Sequence, residues 1–281
     1  MRILLTGASG LLGKKVFNYL TKEGFDVIAL YHKDVDITDY EKLKLFFYKH
    51  KPDVVLHLAA LTKVDYCEIN KEECFNVNIV GTDFVEDLCY ELKCKLFFIS
   101  TDYVFDGKKG DYKEDDERNP INYYGFSKMV GEDLTMKLPS YVILRTSLLY
   151  GYNDKADKVD FVRFVVDNLR KGKIVNAATD LITKPTLIDD VAVAVKKLLD
   201  RNAVGIFHCS GSEEISRYDF ALKIADFFGL KKELVRPVLS SQLKLKADRP
   251  KNSTLDNSKI RKFGVFSSKV MQGLRIAGYK F

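Results

Sequence analysis

The sequence contains no tryptophan, only four histidines and only six prolines in 281 residues. No indole is therefore available to stack on a ligand. The histidines (His32, His50, His57 and His208) stand far apart, and none has the spacing of metal ligands. No structural or catalytic metal is expected. The five cysteines, Cys67, Cys74, Cys89, Cys94 and Cys209, form no Cys-x-x-Cys pair and are odd in number. Such cysteines are expected to be inert and buried in a reducing compartment. No apolar run reaches the roughly 18 residues of a membrane span, so no membrane partner is expected. No block of five like charges occurs, and no nucleic-acid partner is indicated. Arg2–Thr6 runs straight into a glycine turn, so no cleaved leader is expected and the cytoplasm is the expected location.

What is present is the composition of a packed enzyme-sized chain. Hydrophobic residues make up 46% and charged residues 30%, which excludes a disordered chain. The net charge of +6 is spread along the sequence and reads as a solvated Lys/Glu surface. The length suits one large or two modest domains with a real core.

The first half alternates short apolar runs with amphipathic stretches. Strands are expected at Arg2–Thr6, Asp26–Leu30, Val54–Leu58, Leu96–Ser100 and Tyr141–Thr146. Helices are expected at Leu11–Lys22, Asp39–His50, Lys71–Glu91 and Asn122–Lys137. Strands rich in Val, Ile, Leu and Phe, each followed by a helix, imply parallel pairing with helices on both faces. The expected fold is α/β, a doubly wound parallel sheet of Rossmann type, with its ligand at the carboxyl ends of the strands. From Leu148 the pattern loosens. Helices are expected at Asp160–Lys171, Ile188–Leu199 and Arg217–Phe228, a strand at Ile206–Cys209, and a partly helical tail at Lys259–Phe281. The division expected is a dinucleotide-binding domain, 1–147 plus about 186–207, and a smaller C-terminal substrate-binding lobe, about 148–185 plus 208–281.

The first strand leads into Gly7-Ala-Ser-Gly10-Leu11-Leu12-Gly13. Gly7 permits the sharp turn, Gly10 lets a pyrophosphate approach the backbone, and Gly13 lets helix and strand pack closely. The first helical N–H groups and the positive helix end then favour phosphate. A glycine pattern alone is weak evidence; one between a strand and a helix carries the mechanism. The end of the second strand bears on the choice of cofactor. An acid there would bind the ribose hydroxyls of NAD. Instead the residues are Tyr31, His32 and Lys33, which favours NADP(H), with NAD(H) still possible. His32 or Lys33 would stand near the 2′-phosphate, unless Lys33 is only a solvated loop lysine. Asp36 and Ile37 are placed to flank the adenine.

Tyr124-Gly-Phe-Ser-Lys128 puts two side chains on one helical face. A carbonyl that receives hydride must be protonated. Free tyrosine is a poor acid–base group at neutral pH, and a nearby ammonium lowers its pKa. The same spacing arises by chance at Tyr40 and Lys44; Tyr124 and Lys128 differ by lying just after the fourth strand. Ser100, Thr101 and Asp102 stand at that strand's end, where a hydroxyl can hold a carbonyl oxygen. Neighbouring strand residues face opposite ways, and Thr101 is the expected partner.

Together these motifs resemble the extended short-chain dehydrogenase/reductase family. Within it the chain is similar to the dTDP-4-dehydrorhamnose reductases, on three stretches: Ser100-Thr-Asp-Tyr-Val-Phe-Asp-Gly107, Tyr124 to Lys128 followed by Gly131-Glu132, and Arg249-Pro-Lys-Asn-Ser-Thr-Leu-Asp256. The resemblance spans nearly the whole chain. It implies NAD(P)H-dependent reduction of the 4-keto group of a nucleotide-linked 6-deoxyhexose, in the synthesis of dTDP-L-rhamnose. It assigns catalysis to Tyr124, Lys128 and Thr101, and cofactor contacts also to Leu58, Ala59, Ala60, Thr62 and Asn78. It assigns substrate contacts to Val64, Asp102 and Tyr103. Arg249 is a partner for the substrate diphosphate or, equally, half of a surface salt bridge. A homodimer is possible. The chain departs from the family at Leu148, where tryptophan is frequent, at Tyr31, and at Thr183-Lys-Pro-Thr186. These departures touch the sugar's identity and leave the reaction type intact. The same family covers nucleotide-sugar epimerases and a non-catalytic regulatory subunit of methionine adenosyltransferase, which are the alternatives.

Overall fold

The computed structural model describes residues 1–152 and 160–280. The larger part is a sheet built from β1 (Arg2–Thr6), β2 (Asp26–Leu30), β3 (Val54–His57), β4 (Lys95–Thr101) and β5 (Tyr141–Thr146). Between these strands run α1 (Leu11–Lys22), α2 (Tyr40–His50), α3 (Val64–Ile69), α4 (Lys71–Phe75), α5 (Gly81–Leu92) and α6 (Tyr123–Thr135). The second half contributes β6 (Leu149–Tyr150), α7 (Phe161–Arg170), β7 (Val175–Ala178), β8 (Ile182–Thr183), β9 (Thr186–Leu187) and α8 (Ile188–Asp200). It ends with β10 (Gly205–Cys209), β11 (Ile215–Ser216), α9 (Arg217–Phe227), β12 (Val235–Val238), α10 (Ser258–Arg261) and α11 (Val270–Ala277).

The main sheet has six strands in the order β10-β5-β4-β3-β1-β2, and every pairing in it is parallel. The doubly wound fold expected from the alternation is the fold observed. Order reverses between β1 and β3, and a ligand crevice opens at such a switch point, outside the carboxyl ends of the strands. The two faces follow the strand period of two. Ile3 and Leu5 pack with α1 and α8 on one side, while Leu4 packs with α2 and α5 on the other.

A second core lies outside the sheet. Val162, Val165 and Val166 of α7 meet Phe220, Ala221 and Ile224 of α9, with Val270 and Leu274 of α11 beneath them. Short strand pairs β6-β9, β7-β12 and β8-β11 frame this lobe. They have two to four residues each and escape periodicity. The chain returns from the lobe through α8 to β10. His208 and Cys209 belong to that strand, so the boundary set near 207 moves to 209. We propose the division 1–147 plus about 186–209 for the sheet domain, and the remainder for the lobe.

Helix ends match the capping residues. Asp39, Asn122 and Asp160 each accept a backbone N–H from the first turn of the helix that follows, which trims the expected starts by one residue. Two differences bear on the site. The expected helix 71–91 is interrupted by a wide turn at Asn76–Val80. The six-residue α3, too short for a clear period, was not foreseen. The tail is helical only at α10 and α11, and Phe281 lies outside the described residues.

Candidate active site

Gly7 follows β1 with φ of +69°, and a Cβ there would stand 2.7 Å from the amide nitrogen of Ala59. The ends of β1 and β3 therefore meet with no room for a side chain. A Cβ on Gly13 would stand 2.1 Å from the Gly7 carbonyl oxygen. Helix α1 begins directly after Gly10, and no side chain caps it; its first amides are left for a ligand. Thr6 braces the crevice. Its hydroxyl meets Nδ1 of His57 at 2.7 Å and accepts from the amides of Leu58 and Ala59. Burial pushes His57 down to about 3, so this brace is neutral. We expect Gly13→Ala to weaken NAD(P)H binding strongly and to destabilise the fold by about 1–3 kcal/mol through overpacking. Cofactor fluorescence titration beside a thermal melt checks both effects.

A cleft of about 400 Å³ runs from this turn to the first two turns of α6. One wall carries Gly7, Gly10, Leu11, Leu12 and Gly13; the floor carries Leu58, Ala60, Thr62 and Val64. Thr101, Asp102, Tyr103, Tyr124 and Lys128 line its far end. A second cleft of about 350 Å³ continues on the other side of the turn, past His32, Asp36, Ile37 and Ala59. Together they have the open helix end and the glycine approach that a dinucleotide needs.

Tyr124 and Lys128 stand one helical turn apart on α6, and both point into the first cleft. The Tyr124 hydroxyl stands beside that of Thr101, which favours its ionised form. Burial pushes this phenol above its ordinary range, and the Thr101 contact pulls it back only partly. Lys128 is held down to about 7, first by burial, and its ammonium rests 3.9 Å from the centroid of the Phe98 ring. The expected lowering of Tyr124 by Lys128 is thus not the dominant effect; in this low-dielectric pocket desolvation wins for both groups.

Buried charge holds α6 in place. Glu132 is fully buried and accepts from Arg145 Nε at 2.8 Å and Nη2 at 2.7 Å. It also accepts from the Ser100 hydroxyl at 2.5 Å and from Arg118 at 3.2 Å. Ser100 also borders the cleft, but its hydroxyl is given to Glu132, leaving the Thr101 hydroxyl as the one beside Tyr124. Glu132→Ala would strand a buried guanidinium, and we expect it to cost about 3–5 kcal/mol of stability, read by denaturant unfolding.

Residues 1–274 match the family model described as RmlD substrate binding domain. The chain belongs to that family. Its curated relatives include a dTDP-4-dehydrorhamnose reductase from Aggregatibacter actinomycetemcomitans, 33% identical over 98% of this chain and 97% of that one. Another is the probable low-salt glycan biosynthesis reductase Agl14 of Haloferax volcanii, 35% identical over 92% and 91%. Among solved structures, dTDP-4-dehydrorhamnose reductase from Bacillus anthracis in complex with NADP superposes with a TM-score of 0.92. It is 31% identical and covers 98% of each chain.

Several of the expected contact residues do not line the two clefts of this RmlD-family structure or are engaged by other side chains. Asn78 lines neither cleft. Its amide is taken by the Leu61 backbone and by the Ser127 hydroxyl at 2.9 Å, so it positions the 61 loop and α6. Arg249 lines neither cleft and is paired with Asp65 at 2.9 Å and with the Ala247 carbonyl. Tyr31 and Lys33 do not line the second cleft. Lys33 is exposed, its ammonium 5.7 Å from the Tyr31 ring centroid, while His32 and Asp36 do reach the cleft. Asp102 lines the first cleft, yet its carboxylate accepts from Ser147 and Ser253. Missing from the sequence reading were Phe161 and Arg217 on the lobe side, and Glu73 and Val77 beside the second cleft. No local pattern marks them, because topology alone brings them there.

Proposed function

We propose that this protein uses NADPH, or NADH, to reduce the 4-keto group of a nucleotide-linked 6-deoxyhexose, with dTDP-4-dehydrorhamnose as the leading substrate. One observation carries the reading: the glycine cradle and the Tyr124, Lys128 and Thr101 set line a single cleft at the switch point of the sheet. The nicotinamide, when bound, supplies the hydride. Thr101 holds the carbonyl oxygen in hydrogen-bonding reach of Tyr124. Tyr124, kept neutral by burial, gives its phenolic proton to that oxygen as the alcohol forms. Lys128 supplies the positive charge that steadies the phenolate left behind, and solvent restores the proton. Val64 and Tyr103 wall the sugar. Gly10, Leu11 and Leu12 present backbone to the pyrophosphate, while Asp36 and Ile37 flank the adenosine.

The test is coenzyme oxidation, followed by its near-ultraviolet absorbance, in the presence of enzymatically made dTDP-4-keto-6-deoxy-L-mannose. Steady oxidation that requires the sugar supports the reading. An epimerase returns the hydride and shows no net oxidation, and a regulatory subunit shows none at all. For the cofactor, Lys33 does not line the second cleft but adjoins His32, which does; Lys33→Glu is expected to raise the Kd of NADPH roughly two- to fivefold more than that of NADH, the scale of an exposed ion pair. Equal effects on both would remove Lys33 from the 2′-phosphate.

A further inference from the structure

Among the described residues lining the main cleft, the cations are Lys128 and Arg217. Lys128 is 4% exposed and serves the reacting end. Arg217 is the first residue of α9, on the lobe wall, and is half-buried. Its guanidinium carbon lies 5.6 Å from the Phe161 ring centroid, and it stands beside the Tyr103 side chain. No carboxylate among the described residues forms an ion pair with it. Two acids share the wall, but both are engaged. Asp102 accepts from Ser147, Ser253 and Thr101. Asp160 accepts from the amides of Gly151 and Arg163 and from the Tyr279 hydroxyl.

A guanidinium left unpaired on a half-buried wall is built for an anion, and its fork suits phosphate. The geometry of the substrate class supplies one. In a pyranose reduced at C4, the anomeric carbon lies across the ring. Its diphosphate therefore leaves on the side away from Tyr124, toward the lobe. Phe161 lies against the guanidinium.

We propose that Arg217 anchors the substrate diphosphate and so determines specificity for a nucleoside-diphosphate sugar over a free sugar. The inference rests on the nucleotide-sugar reading above. The competing role for Arg217 is to balance the buried charge of Asp102 without touching substrate.

Calorimetric titration of the NADP-saturated protein with dTDP and UDP, and with thymidine and uridine as neutral controls, tests it. The wild type is expected to prefer a diphosphate over its nucleoside. Arg217→Gln is expected to lose roughly 10- to 100-fold in diphosphate affinity, the scale of a charge-assisted bidentate contact. Nucleoside and NADPH affinities should not move. Arg217→Lys should fall between, keeping the charge without the fork. An R217Q protein that melts lower yet binds the diphosphate normally assigns Arg217 to Asp102 and overturns the inference. If R217Q does not fold, R217K decides: reduced diphosphate affinity with unchanged NADPH affinity supports the anchor, and unchanged diphosphate affinity overturns it. A wild type that ignores the diphosphate overturns the nucleotide-sugar reading itself, and this inference with it.

Discussion

Tyr124→Phe is expected to lower turnover by about 10²- to 10⁴-fold, the range of a removed general acid, while NADPH binds almost as before. The variant deletes one oxygen from a ring that stays in place. Tyr124 is held in α6 by its backbone and packs edge-on against Tyr103, ring centroids 6.2 Å apart. Thr101 keeps its own bonds to Asp102 at 3.1 Å and to the Tyr103 amide at 3.2 Å, so no loop collapses. The glycine cradle lies at the other end of the cleft and does not depend on the phenol. On the proposed mechanism, what disappears is the proton donor. Burial keeps that donor protonated well into alkaline solution, so wild-type reduction should not fall with rising pH through loss of the Tyr124 proton near neutrality. Single-turnover coenzyme oxidation and cofactor titration on the same preparation check the split. A variant retaining wild-type rate would remove Tyr124 from the chemistry.

Lys128→Met is expected to stabilise the protein and disable it together. Burial holds Lys128 at about 7, against an ordinary value of 10.5. Between these two values the unfolded chain holds a proton that the folded chain has released. Wild-type stability therefore rises as pH climbs from about 7 toward 10.5 and levels off above. Below about 7 the folded protein carries a buried ammonium resting on Phe98, and the full penalty applies. Methionine fills the same space without charge. The variant should gain up to about 4 kcal/mol at neutral pH, from 1.36 kcal/mol per pKa unit. The gain should shrink toward zero near pH 10.5. Turnover should drop by about two orders of magnitude or more, since the phenolate left on Tyr124 loses its counter-charge. Melts of both proteins across this pH window measure the effect. A difference that does not change with pH would assign the gain to packing instead of charge. Stability gained by deleting a working residue is the usual mark of a site strained for function.

Much of this was legible in the sequence because the signals were local. The start and end of α1 coincide with expectation at Leu11 and Lys22, since the glycine turn before it and the apolar period within it are carried by adjacent residues. Parallel strands buried on both faces read as plain apolar runs, and their alternation with helices leaves few topologies. The four-residue step from Tyr124 to Lys128 needs only a helix to bring both to one face.

Tertiary structure decided the rest, where contacts join residues far apart in the chain. Arg249 and Arg217 carry the same side chain, and nothing nearby in sequence says which one meets the cleft. Asp65, 184 positions away, captures Arg249, while α9 delivers Arg217 to the wall. Asn78 sits in the wide turn that interrupts the expected helix and Lys33 in the turn after β2; the first faces Leu61 and Ser127 and the second faces solvent. Local periodicity and turn chemistry thus determined the scaffold, the phosphate cradle and the Tyr/Lys pair. Only the packed fold, which sets long-range partners and desolvation, determined which charges face the cleft and that burial dominates the proton affinities of both Tyr124 and Lys128.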